Sequence, residues 1–454
     1  MKKKVITIFI GLFSCMPAWC IDGDTFKYIT SNNVELTMKV ISEVEQTVQI
    51  TSASRNFYNS PYQIDFSIPL IANGYTITSI ADNAFQSCSW INDLSIPGCI
   101  ETIGREAFKS CGFLKNVVLE DGVKVIEDYA FSQSSLTSIT IPPSMVSIGN
   151  YVFSICDKLV EVHVTDLVSW CKISFADTYP HYSNPLWTAK HLYIGDEELV
   201  GHITIPDEIT KIPNGAFMNL KGMTSLTIPE SVIEIDSYAF CGCSNLTVVN
   251  MSDNVISIGY GAFADNRNIT TFTFPSKLES IGDDAFEFCE NLTTLELPCS
   301  LKTIGASSFR YCSGLEEAVI GEHVESIGMY AFYGCIGLKD VYCYAKEVPG
   351  TENNAFEGSY IENATLHVPV GSIDLYTSTS PWNGFGNIIP IEDFIMGDVN
   401  GDGEIDLSDA IMVTYYSLHM APTNFNKFAA DMNGDGVIDL SDAIIIIYMS
   451  LGVK

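Results

Sequence analysis

Two stretches near the C-terminus carry oxygen donors at a spacing that can wrap a single cation. One reads GDVNGDGEIDLSDAIMV, and thirty-three residues later the chain reads ADMNGDGVIDLSDAIIII. As twelve-residue loops, 398–409 and 431–442, the first puts Asp398, Asn400, Asp402, Glu404, Asp406 and Asp409 at positions 1, 3, 5, 7, 9 and 12. The second puts Asp431, Asn433, Asp435, Val437, Asp439 and Asp442 there. Calcium takes roughly six to eight oxygens at flexible distances: side chains from positions 1, 3, 5 and 12, the carbonyl of position 7, and position 9 often through water. Gly403 and Gly436, at position 6, permit the sharp turn. The expectation is two Ca2+ ions, one per loop.

These loops need helices to hold them, and each is followed by one: Leu407 to His419 and Leu440 to Leu451. No long helix precedes the first loop, where IEDFIMGDVN runs straight in, and position 12 is Asp rather than the Glu of an EF-hand. This tandem of calcium loop and exit helix resembles a type I dockerin domain over 393–454. The resemblance implies a small all-α unit that calcium folds and that docks onto a cohesin module of a scaffold or surface protein. The residues matching the family's recognition pair are Leu407-Ser408 and Leu440-Ser441. Being identical in both copies, they would let either helix dock by a pseudo-twofold turn. The second helix, DAIIIIYMSLG, is apolar enough that at least one face must be covered.

Most of the remaining chain is periodic. Phenylalanines recur from Phe85 to Phe153 and from Phe217 to Phe356 in steps of 22 to 24 residues. Around them the unit reads I-G-x-x-A-F-x-x-C-x-x-L-x-x-I-x-I-P, as in IGDDAFEFCENLTTLELP. Alternation such as Leu295-Glu296-Leu297 before a proline predicts one short half-buried strand per unit. A single such unit cannot bury its apolar face alone, so units must stack into a solenoid with a parallel sheet. The unit resembles the BspA-like leucine-rich repeat of bacterial surface and secreted proteins, over 76–390. DLVSWCKISFADTYPHYSNPLWTAKHLYIG matches that family's irregular insertion at about 165–200, and LHVPVGSIDLYTSTSPWNGFGNI its C-terminal cap at about 365–390. A β-rich N-terminal cap region is expected over 21–75. The fold class is therefore a mainly β repeat solenoid followed by a small all-α calcium-loop domain.

If alternate strand positions face inward, the others form columns on an open sheet face. The column ten residues past each phenylalanine includes His163, Thr227, Glu296, Val319 and Tyr342; the column at eight includes Glu161, Glu317 and Asp340. Val319 and Tyr342, flanked by Glu317, Asp340 and Glu296, make an apolar pair among acids, the expected ligand site of the repeat face. A cysteine column, Cys88 to Cys335, sits three residues after the phenylalanines, with Leu220 and Asn266 in the same slot. It is expected to hold small buried thiols rather than disulfides.

With 55 acidic against 23 basic residues and a formal charge of -32, the chain is poorly suited to nucleic acid or anionic membranes. MKKKVITIFIGLFSCMPAWC reads as a secretory signal peptide over 1–20, so the protein is expected to be secreted, with lipidation of Cys15 as a cell-surface alternative. No H-E-x-x-H, G-x-S-x-G or phosphate-binding glycine loop is present, so no catalytic residues are expected; Cys171 near His163, His181 and His191 is the one conceivable nucleophile with a base. These features point to a monomeric, non-catalytic binding or adhesion protein. Its repeat face would recognise a protein or glycan, and its dockerin would attach it to a cohesin-bearing partner. Two alternatives stay open: a dockerin-borne polysaccharide-degrading β-helix enzyme, and a repeat protein whose calcium loops only stabilise its C-terminal end.

Overall fold

The computed structural model describes residues 5–6, 21–55, 63–176, 180–391, 395–418, 420, 422–433 and 438–452. The stretch 1–20 expected to be a signal peptide, including Cys15, thus lies outside the described residues apart from Val5–Ile6. The chain forms two compact units, Met1–Gly201 with Pro213–Gly222, and His202–Ile212 with Met223–Lys454.

The first unit opens on an antiparallel meander, Thr25–Ile29, Val34–Ser42 and Thr47–Arg55, whose last strand runs parallel to Tyr75–Ile80. From there each turn contributes a strand to each of two parallel sheets. One sheet stacks Ile64–Ser67, Ile91–Ile96, Asn116–Leu119, Ser138–Ile141, Glu161–Val164 and Leu192–Ile194. Its register aligns Leu94, Val117, Ile139 and Val162 inward, as apolar/polar alternation requires. The other continues the meander through two-residue strands such as Thr102–Ile103 and Val125–Ile126. In the second unit the longer strands fall into two sheets, one holding Met223–Ile228 with Val248–Met251, the other Thr294–Glu296, Glu317–Ile320, Asp340–Cys343, Thr365–Val368 and Asn387–Pro390. The turn between those groups has no assigned strand, and its inward slots carry Phe272 and Phe274, bulkier than Val249 and Met251 before them or Leu295 and Leu297 after them.

The repeat phenylalanines form the spine. Within the second unit Phe240, Phe263, Phe286, Phe309, Phe332 and Phe356 stack at 5.2 to 5.5 Å with rings within 17° of parallel. The first unit has the same ladder from Phe85 to Phe153. Stacking this close needs turns that nearly touch. A Cβ on Gly305 would lie 2.4 Å from the carbonyl carbon of Gly282, so the glycine of the I-G pair is what lets successive turns approach.

The cysteine column does more than fill space. The thiols of Cys111, Cys289, Cys312 and Cys335 each donate to the carbonyl of the phenylalanine 26 residues upstream, at 3.2 to 3.4 Å. Other residues in the slot also donate: Asn266 to the Phe240 carbonyl, Ser359 to that of Phe332, and Ser134 to that of Phe131. Leu220 has no repeat phenylalanine 26 residues before it, because the insertion intervenes. A buried carbonyl without a partner costs about 1–3 kcal/mol. Cys312→Val is therefore expected to lower stability by about 1–3 kcal/mol, and Cys312→Ser by less because the donor is kept. Urea unfolding of the two variants side by side checks the order.

At its C-terminal end the solenoid is closed by the helix Ile373–Ser378 and by Trp382, whose indole packs edge-on against Phe356 and donates to Thr351 Oγ1 at 3.0 Å. In the insertion, buried Trp170 donates to the Ala216 carbonyl at 2.9 Å.

Candidate functional site

The first calcium loop is wound by its own acidic side chains. Asp398 accepts from the backbone N–H groups of Gly401 and Gly403 at 2.8 Å and of Asp402 at 3.1 Å. Asp402 accepts from Glu404 N at 2.9 Å. Asp409 accepts from Val399 N and Asn400 N through Oδ1, and from Asp406 N through Oδ2. Asp406 caps the exit helix Leu407–Ser417, and its hydrogen bonds from Ser408 hold its carboxyl below the usual range. The second loop repeats this. Asp442 accepts from Met432 N, Asn433 N and Asp439 N at 2.8, 3.2 and 2.9 Å, and Asp439 caps Leu440–Ser450. Asp435 and Val437 lie outside the described residues.

Asp398, Asp409, Asp431 and Asp442 are buried, and among the described residues no basic side chain pairs with Asp398 or Asp409. Buried carboxylates need a compensating cation, and a set of Asp, Asn and carbonyl oxygens is hard-ligand chemistry that fits calcium rather than a thiophilic metal. Among the described residues, however, no three acidic, histidine or cysteine side chains converge on one point. The donors are arrayed along the loop without being gathered; Asp402, Glu404 and Asp406 are exposed.

At position 11 of the first loop, exposed Ser408 is tied to its own loop. Its hydroxyl accepts from Asn400 Nδ2 at 2.9 Å and donates to Asp406 at 2.6 Å, and Ser441 accepts from Asn433 Nδ2 in the same way. Leu407 and Leu440 point out, 59% and 53% exposed. They head two apolar stripes not recognised from sequence: Leu407, Ile411, Tyr415 and Leu418 on one helix, and Leu440, Ile444, Tyr448 and Leu451 on the other, all exposed. The offset of 33 residues holds at all four places and was the signal available. The other faces of the helices meet in a small core of Val399, Ala410, Val413, Ala429, Ala430, Ile438, Ala443 and Ile446.

On the repeat face, the register sets Glu317 beside Asp340, and Glu296, Val319, Tyr342 and His367 side by side on successive strands. His367 completes the group and lay in the cap, beyond the period. Its ring stacks on Tyr342 at 4.1 Å and 13°, and its Nε2 is 2.9 Å from Asp340 Oδ1. Burial, then Asp340 and Glu296, raise the Glu317 carboxyl above its ordinary range. Glu296 is ion-paired with Lys427, from the segment between the calcium loops. The first unit builds a similar group at its own last turns. His163 stacks on Tyr193 at 4.7 Å, with Glu161 3.3 Å from His163 Nε2. Tyr193 lies within the insertion, where column counting stops.

Among the described residues, Cys171 does not meet a base. It is buried and its thiol is pushed up to about 12 by desolvation. His163 engages Glu161 and the Gly195 carbonyl, His191 engages Glu198, and the side chain of His181 lies outside the described residues.

A solenoid of parallel strands with stacked phenylalanines and an open polar sheet, carrying paired acidic loops with exit helices at its end, defines a leucine-rich repeat protein with a docking module. The model of the BspA type leucine rich repeat region matches residues 51–180, 196–316 and 302–380 in six copies, and the chain belongs to that family. The dockerin type I domain matches 396–449, a domain type that binds calcium and implies a cohesin partner. Among solved structures, the pneumococcal vaccine antigen PcpA is similar at 19% identity, over 83% of this chain and 100% of that chain, with a TM-score of 0.51, a likeness of fold. A leucine-rich repeat protein from Bacteroides ovatus matches at 23% identity over 68% of this chain and 92% of that chain, TM-score 0.35. A leucine rich cell surface protein from Faecalibacterium prausnitzii matches at 20% over 64% and 94%, TM-score 0.32. A search of curated proteins gave no match. No helix among the described residues is long and apolar enough to cross a membrane.

Proposed function

We propose that this chain is a secreted, non-catalytic binding or adhesion protein. The repeat face takes a protein or glycan at the group around Val319, Tyr342, Glu317, Asp340 and His367. The C-terminal domain binds two calcium ions through 398–409 and 431–442 and attaches the chain to a cohesin-bearing partner. The observation that carries the attachment reading is the pair of matched apolar stripes, headed by Leu407 and Leu440 beside loop-tied Ser408 and Ser441. Exposed apolar surface duplicated at one offset suits a partner that can engage either copy.

Two equivalent stripes make a specific forecast. In the full-length chain, Leu407→Asp or Leu440→Asp alone is expected to reduce cohesin affinity no more than about twofold, since one of two equivalent sites remains, whereas the double variant should lose at least about 2 kcal/mol. Titration against an immobilised cohesin in calcium measures both. A full loss from one single variant would mean that only one helix docks. No binding by the unmodified chain in calcium would remove the attachment reading.

A second reading, that the calcium loops staple the end of the solenoid, is favoured by the ion pair between Lys427 and Glu296. It does not exclude the first, because the two use different surfaces of the domain.

A further inference from the structure

Between the first exit helix and the second calcium loop, Lys427 serves neither the ligand positions nor the exposed stripes, yet it pairs with Glu296 of the repeats. The Phe425 ring stacks on Tyr416 at 4.8 Å and 16°. Lys427 Nζ lies 5.8 Å from the centre of the Tyr416 ring and pairs with Glu296, 131 residues earlier in the chain. Asp253, Glu296 and Cys299 of the repeats all act on Tyr416, whose hydroxyl is raised chiefly by burial. Cys299 is itself buried, with Asp431 of the second loop acting on it.

An isolated surface ion pair contributes little, ~0–1 kcal/mol. Here the ammonium is half-buried and lies over an aromatic face, which strengthens it. The contact also leaves both stripes open, since Leu407, Ile411, Tyr415, Leu440, Ile444 and Tyr448 are exposed with the domain in place.

We propose that the calcium-loop domain docks on the open sheet of its own second repeat block through Tyr416, Phe425 and Lys427, with Lys427 paired to Glu296, and that filling its loops is what holds it there. The coupling is short. Lys427 begins the helix Lys427–Ala430, Ala429 and Ala430 are in the domain core, the Ala429 carbonyl accepts from Gly397 N at 2.9 Å, and the next residue is Asp431, first of the second loop. Unwinding the loops therefore withdraws the lysine. The docked domain then borders the recognition strip: it engages Glu296 at one end and leaves Val319, Tyr342 and His367 to the ligand. The coupling rests on the calcium reading above; the docking itself does not.

The test uses the full-length chain with Glu296→Lys, Lys427→Glu and the double exchange. Calcium binding is followed by calorimetry, and docking by the rate of proteolysis within 391–396 and by small-angle scattering. In saturating calcium the unmodified chain should be compact and slowly cut. Either single reversal should speed cutting about fivefold or more and raise the radius of gyration, with calcium still bound, and the double exchange should restore both. Glu296→Lys is decisive because it changes no residue of the calcium domain itself. If it leaves cutting and scattering unchanged with calcium bound, docking is wrong. If calcium binds but its removal alters neither quantity in the unmodified chain, the coupling is wrong. If no calcium binds, the calcium reading fails while Glu296→Lys still judges the docking.

Discussion

Chelating calcium from the full-length chain is expected to unfold residues 396–449 while both repeat blocks stay folded. The core of the C-terminal domain consists of eight residues, half of them alanine, so its apolar burial is small for a unit of its size. Against that core stand four buried carboxylates, Asp398, Asp409, Asp431 and Asp442. Without a cation, each loop places like charges together in a region shielded from water, which opposes folding. At a hundredfold excess over its dissociation constant, one bound ion contributes about 2.7 kcal/mol, and two independent ions about twice that. That exceeds what such a small core supplies. The helical far-UV signal of the exit helices should therefore fall in EDTA and return with calcium, with a midpoint that depends on calcium concentration. Asp398→Ala and Asp431→Ala, each removing the first ligand of one loop, should each weaken one binding event. Helical signal that is indifferent to EDTA would refute the account.

The parts legible in the sequence were those written periodically. Eleven phenylalanines at a near-constant step announced the solenoid, and the 33-residue offset announced the paired loops. The same periodicity marked Glu296, Val319 and Tyr342 as neighbours on one face, because a fixed count from each phenylalanine is a fixed height on the sheet. What escaped lay where counting stops. His367 is in the cap and Tyr193 in the insertion, yet each joins the open face as the next strand of the ladder. The cysteine column was readable as inward and small, but its work as a donor to a carbonyl 26 residues away depends on the stacking of turns. Lys427 and Glu296, 131 residues apart, share no pattern at all. Ile411 and Tyr415 recur as Ile444 and Tyr448 at the same offset, but their exposure follows only from how the two helices pack.

Phe286→Ala should be the most damaging single substitution in the second repeat block. Phe286 is fully buried, stacked between Phe263 at 5.5 Å and Phe309 at 5.4 Å, and met edge-on by Phe272 at 4.8 Å and Phe274 at 5.3 Å. Removing a buried ring costs about 3–5 kcal/mol where neighbours cannot collapse into the space. They cannot here, because each adjacent phenylalanine is fixed by its own turn and by a Cys-to-carbonyl bond, from Cys289 to Phe263 and from Cys335 to Phe309. In a solenoid, stability is nearly a sum of turns and of interfaces between neighbours, so one cavity at mid-ladder weakens two interfaces together. Tyr311→Ala serves as the comparison: its ring stacks on Phe288 at 5.0 Å but is only half-buried, and it should cost no more than about 1–2 kcal/mol. Buried Trp382, packed on Phe356 at the end of the same ladder, reports the transition by fluorescence. The expected result is a clear loss of urea midpoint for Phe286→Ala, a shallower transition as the block splits about the cavity, and a small shift for Tyr311→Ala. Equal shifts for the two would mean that the ladder is not the spine of the block.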